Sequence, residues 1–225
     1  MSLTPLGVYA AQGAGGAPPA TPPTVGGYTS GSSNSAAVSL TTPTCAVGDL
    51  LVAMWSIRST SRNPLLPSGW TWLLSSVYTG SNMRDAALYK VADSADAAGA
   101  SHSFALDSYS IAHSVSFVTV QGSGGIDSAA RTGYSTGSTS RAAGPLTPGQ
   151  ANNLLLHMAT WRDTSTYTAP STPGTWTKQG QETALVTGTA IASSPYDSTS
   201  STGTVTGTVT ATTTGAAWLV VCAPA

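Results

Sequence analysis

From Ala36 onward, short apolar runs recur between clusters of Gly, Pro, Ser and Asp, and no window keeps a helical apolar period beyond two turns. Runs of this length bounded by turn residues predict β-strands. They fall at 36–41, 49–58, 69–78, 84–92, 102–106 and 111–121, and again at 153–162, 174–180, 184–193, 203–211 and 216–222. The segment 93–100, DSADAAGA, has the length of one helical turn. LLVAMW and LLLHMATW are apolar at successive positions, so both strand faces are expected to be covered and both strands to lie centrally. GTVTGTVTA (203–211) alternates strictly, which points Val205 and Val209 inward and the threonines to water. Gly203 and Gly207 share the valine face and leave room there for bulky neighbours.

The two sets of strands are related. GDLLVAMWSIR (48–58) aligns with NNLLLHMATWR (152–162) at an offset of 104, matching Leu50, Leu51, Met54 and Arg58 to Leu154, Leu155, Met158 and Arg162. PSGWTWL (67–73) aligns with TPGTWTK (172–178) with one residue inserted. In each, Pro and Gly form a turn just before a large aromatic residue. Trp70 and Trp176 are therefore expected to anchor equivalent corners of two half-repeats, about 36–127 and 142–225. One antiparallel sheet leaves an apolar face that a second must cover, and two halves of one chain supply both. The predicted fold is all-β: a two-sheet antiparallel sandwich, jelly-roll-like, spanning 35–225.

Residues 1–34 carry few bulky apolar side chains among many Gly, Pro and Ser, and read as an extended N-terminal arm. Leu3, Leu6, Val8 and Tyr9 are its adhesive group. The first residues lack the charged start and continuous apolar run of a secretory signal, so production in the cytoplasm without export is expected.

Composition narrows the function. Of 225 residues only 8% are charged and the net charge is -1, with no run of either sign. Such a chain releases no phosphate counterions, which argues against nucleic acid as a partner. The lack of a polybasic or amphipathic segment argues against a membrane partner. Cys45 and Cys222 allow one bridge at most, and we read both as buried free thiols in strands.

No catalytic constellation, metal site or cofactor motif emerges. His102, His113 and His157 stand singly, without metal-ligand spacing. His157 sits in a buried run and reads as a hydrogen-bonded core histidine. Asp93 and Asp96 suit turn capping, and Glu182 is the only glutamate. Arg58 and Arg162 end matching strands, either facing water or pairing with carboxylates such as Asp85 or Asp163. Tyr28, Tyr78, Tyr109, Tyr134, Tyr167 and Tyr196 are expected in exposed loops, where tyrosine gives contact area at low entropic cost. Tyr134 and Tyr167 are the candidates for a binding surface.

VGDLLVAMWSIRS followed by PSGWTWLLSS, then AALYKVADSADAAGASHSFAL and SVSFVTVQGSGGID, resembles a pattern of bacteriophage and prophage virion proteins. In these, a GDLLVA strand, a P-x-GWT turn, a YKVA strand and a loop carrying ID follow in order. The resemblance covers about residues 36–222. The second copy departs from it, with NNLLLHM for GDLLVAM and GTWT for GWT. It implies a β-sandwich module of the minor tail, head-fibre or capsid decoration type, located in the virion. Other virion subunits are then the partners, the N-terminal arm is the attachment element and homo-oligomers are in character. A carbohydrate-binding or host-receptor module recognising a surface glycan is the alternative.

Overall fold

The computed structural model of the chain describes residues 20–74, 77–78, 83–107 and 111–225. The first sheet contains β1 (Thr24–Ser33), β3 (Leu50–Ile57), β4 (Thr71–Trp72), β5 (Val77–Tyr78), β6 (Arg84–Val91) and β8 (His113–Gln121). Its order is β1-β8-β3-β6-β4, with β5 also on β6. Strands β2 (Ala37–Thr41) and β7 (Ser101–Ala105) form a separate pair. The second sheet contains β9 (Ser123–Ala143), β10 (Asn153–Trp161), β11 (Tyr167–Thr168), β12 (Thr177–Glu182), β13 (Gly188–Tyr196) and β14 (Val205–Pro224). Its order is β11-β14-β10-β13-β12, with β9 also on β14, and all pairings are antiparallel. The helical turn expected at 93–100 is α1 (Ser94–Ala97).

The two sheets pack face to face. Leu50, Val52, Met54, Ala87, Val118 and Val120 meet Leu154, Leu156, Met158, Ile191, Trp218 and Val220 in one buried cluster. Alternate residues of the same strands face the other way. On the first sheet Leu51, Trp55, Ile57 and Phe117 are covered by Val38, Leu40 and Phe104 of the β2/β7 pair. On the second sheet the early part of β14 folds back over the outer face: Val205 covers Leu155 and Leu219, and Val209 covers Trp161. Every residue of β3 and β10 is buried as a result, as their two-sided apolarity requires. The alternation in β14 holds, with Val205 and Val209 buried and Thr206, Thr208 and Thr210 exposed. A Cβ on Gly207 would come within 2.7 Å of the Tyr167 ring, whereas Gly203 precedes the strand.

The pairing shows how far the internal duplication extends. Leu50 is flanked by Val91 and Val120, and its counterpart Leu154 by Pro195 and Cys222. The partners β6 and β13 are thus offset by 104 positions, and β8 and β14 by 102. Each half keeps its main strands in its own sheet; the two packed sheets of a jelly roll are present, but the strand order is block-wise. In the first half β1 and β2 are separate strands and so are β7 and β8, whereas in the second half β9 and β14 each run about 20 residues without a break.

Two boundaries differ from expectation. Thr24–Ser33 lies within the segment read as an arm, yet it forms the outermost strand of the first sheet along β8. Residues 128–141 fall between the expected half-repeats, yet they belong to β9, which pairs with β14 along most of its length. Both are edge strands, and an edge strand is held by backbone hydrogen bonds with little need for bulky apolar side chains. The halves accordingly run from Thr24 and from Ser123. Residues 1–19, with Leu3, Leu6, Val8 and Tyr9, lie outside the described residues.

Candidate functional site

The interface between the sheets is apolar at one end and polar at the other. Asp85 on β6 is two residues from Ala87 and so faces the second sheet, where it is fully buried. Arg131 on β9 and Trp218 on β14 sit directly opposite each other and both reach it. Arg131 Nε donates to Asp85 Oδ1 at 2.9 Å and Nη2 to Oδ2 at 2.8 Å, while Trp218 Nε1 donates to Oδ1 at 2.9 Å. A carboxylate in a core is tolerated only with such satisfaction, and a bidentate guanidinium gives it with fixed geometry. Hydroxyls continue the join: Ser116 Oγ lies 2.7 Å from Thr189 Oγ1, and Ser114 Oγ 3.1 Å from Thr187 Oγ1. Asp85 is therefore the partner of Arg131, not of Arg58. The signal was present in the sequence, since period two from Ala87 turns Asp85 inward.

A second polar cluster ties the outer pair of strands to the first half. Asp93 and Asp96 form a capping box on α1, as their turn-capping reading requires. Lys90 Nζ lies 2.7 Å from Asp96 Oδ2 and 3.0 Å from Asp93 Oδ2. His102 on β7 accepts a hydrogen bond at Nδ1 from Trp70 Nε1, at 3.2 Å. Its Nε2–H therefore faces Asp96 Oδ1 at 2.9 Å and Thr42 Oγ1 at 3.1 Å. A nucleophilic triad needs the hydroxyl and the carboxylate on opposite ring nitrogens. Here both sit on Nε2, and the Thr42 hydroxyl donates to Ala100 O at 2.8 Å, so the cluster fastens the layers. Trp70 is buried against His102, Phe104 and Phe117. Its counterpart Trp176 is half-buried, edge-on to His157 at 6.2 Å. The two tryptophans thus occupy related places with unequal burial.

In the second half the fasteners are different. His157 is fully buried, and because the Arg141 carbonyl only accepts, Nε2 donates to it at 2.8 Å and Nδ1 accepts from the Tyr167 hydroxyl at 2.7 Å. Burial pushes the His157 imidazole down to about 4 and the Tyr167 phenol upward. The Arg141 guanidinium, also fully buried, donates to the carbonyls of Ser138, Ser140, Thr160 and Thr213. It stands where β9 and β14 break register, and burial lowers it to about 10. Tyr134 lies under it at 5.2 Å and spends its hydroxyl on the backbone of Ala142.

These placements correct the tyrosine reading. Tyr167 is a core residue, 1% exposed, and Tyr134 is a half-buried strand residue whose polar end is occupied. Tyr28 bonds Ser116 and Tyr196 bonds the carbonyls of Ser200 and Ser201. In a chain with two phenylalanines, tyrosine serves as core filler with a hydrogen-bonding end. Both cysteines are free; Cys222 is buried in β14, and Cys45 is half-buried and outside any strand. Among the described residues no three His, Cys, Asp or Glu side chains gather where they could hold a metal ion.

The remaining site is at the polar end of the sandwich. The inward-facing rows of β3 and β10 end in Ser56 and Thr160, and the next inward positions are Arg58 and Arg162. The backbone keeps the duplicated pairing there: Arg58 N donates to Ala112 O at 2.9 Å and Arg162 N to Thr214 O at 3.2 Å. Both residues line one depression of about 360 Å³ with Ser59, Thr60, Ser61 and Ile111. Comparison with known protein families, curated proteins and solved structures finds no match. The chemistry of this depression has to be read from its own residues. The two arginines are equivalent positions of the duplicated sequence, but only face-to-face packing of the halves brings them to one place.

Proposed function

We propose that this chain is a non-enzymatic structural or accessory protein of a bacteriophage particle, attached through its N-terminal residues and presenting the sandwich outward. The observation that carries the non-enzymatic part is the use of the buried ionisable groups. Asp85 with Arg131, Asp96 with Lys90 and His102, and Arg141 with its carbonyls each join one layer to another. The virion part rests on the resemblance of the β3, β4 and β6 sequences to phage structural proteins, and on a sparsely charged surface rich in Ser and Thr. Attachment falls to residues before Thr24, because β1 belongs to the sheet.

The test compares the full chain with a variant starting at Ala20, incubated with particles lacking the protein and sedimented. Saturable binding by the full chain and loss of binding by the shortened, still folded chain support the proposal. Equal binding by both sinks the arm, and no binding by the full chain sinks the virion role. Removal of all of residues 1–34 is unsuitable, since it deletes a strand. The binding-module alternative loses Tyr134 and Tyr167 but retains one specific observation in its favour, the arginine-lined depression.

A further inference from the structure

Arg58 is exposed and Arg162 half-buried, and neither guanidinium has a carboxylate or hydrogen-bond partner among the described residues. The nearest acid in sequence, Asp163, accepts the backbone N–H of Ser165 at Oδ1, at 2.7 Å, and makes no ion pair with either arginine. By contrast, Arg131 is spent on a carboxylate and Arg141 on backbone carbonyls. Two unpaired guanidiniums lining one depression repel each other, and an oxyanion between them removes that cost while accepting charge-assisted hydrogen bonds.

We propose that this depression binds the carboxylate or sulfate group of an acidic sugar residue, with Arg58 and Arg162 together on the oxyanion. The remaining lining fits the rest of a sugar. Thr60 and Ser61 are exposed and offer hydroxyls, while Ile111 gives an apolar patch for the C–H face of a pyranose ring. The loop is held in place by the Ser59 hydroxyl, which accepts from the backbone N–H of Ser61 and of Arg62, both at 3.1 Å. A volume near 360 Å³ is at the small end of ligand sites and suits about one ring rather than an extended chain. The proposal rests on the binding-module reading and is independent of particle attachment.

The experiment titrates the full chain with a glucuronate-containing tetrasaccharide, neutral maltotetraose and sodium sulfate, following arginine Nε–H signals by NMR. The expected result is saturable, salt-sensitive binding of the acidic tetrasaccharide, weaker binding of sulfate and none of maltotetraose. Arg58→Ala and Arg162→Ala should each weaken binding by about tenfold or more, and the double variant should abolish it with the thermal midpoint unchanged. Failure of the acidic tetrasaccharide to bind, or undiminished binding by the double variant, overturns the proposal. Sulfate binding as tightly as the tetrasaccharide overturns its sugar part. Particle sedimentation of the double variant should match the unmodified chain, so failure here is distinct from failure of the virion reading.

Discussion

The two halves share an apolar frame and differ in the polar groups that hold their outer layers. Leu50, Val52 and Met54 have their equivalents in Leu154, Leu156 and Met158, all in the same inter-sheet cluster. On the outer faces the polar groups no longer correspond. The first half holds a separate strand pair through Lys90, Asp96 and His102, whereas the second bends continuous strands back on themselves around Arg141 and His157. Where the first half has Ala53, the second has His157. Duplicated sheets keep what the face-to-face core demands, and each half has found its own solution for closing its outer side.

The largest test of this contrast is at the matched tryptophans. Trp70→Ala empties a buried aromatic cluster and should cost on the order of 3 to 5 kcal/mol. Trp176→Ala removes a half-buried ring and should cost about 1 to 2 kcal/mol. Denaturant midpoints would separate them, and equal losses would mean that the halves close in the same way.

Acid should weaken both halves. Burial pushes His113 in the first and His157 in the second down to about 4. The unfolded chain takes up protons near pH 6.5 that the folded chain refuses until about 4. Their contribution is therefore fully present above about 6.5 and declines as the pH falls toward 4, by on the order of 3 kcal/mol for each histidine. Urea midpoints measured from pH 7 to pH 4 should fall continuously; a flat profile contradicts buried neutral rings.

A smaller effect probes the contact between halves away from the main core. A Cβ on Gly180 of β12 would come within 2.3 Å of the Tyr28 ring on β1. Gly180→Ala should lower the thermal midpoint through about 1 to 3 kcal/mol of overpacking. Adding Tyr28→Ser should relieve the clash, leaving only the loss of the Tyr28 contacts.

Much of this is legible in the sequence. The central strands announced themselves by two-sided apolarity, the β14 ribbon by its Val and Thr alternation, the cap of α1 by its aspartates, and the duplication by matched residues. The edge strands β1 and β9 were not, because TVGGYTSGSS and SGGIDSAARTGYSTGSTSRAA have the composition of linkers and gain their order from a neighbouring strand. Nor was the core role of Tyr167, whose partner His157 is local in sequence while its covering strand β14 is not. Arg58 and Arg162 were seen as equivalents, but their convergence is a property of how the sheets face each other.

The measurement that bears most directly on the face-to-face account is a double-mutant cycle on Asp85→Ala and Arg131→Ala in the intact chain. Each single change leaves a charge buried without its partner and should cost about 3 to 5 kcal/mol, whereas removing both should cost much less than the sum. A coupling of about 2 kcal/mol or more is the predicted result. Additive losses would mean that Asp85 of the first half and Arg131 of the second do not meet, and would contradict the packing on which the arginine-lined site depends.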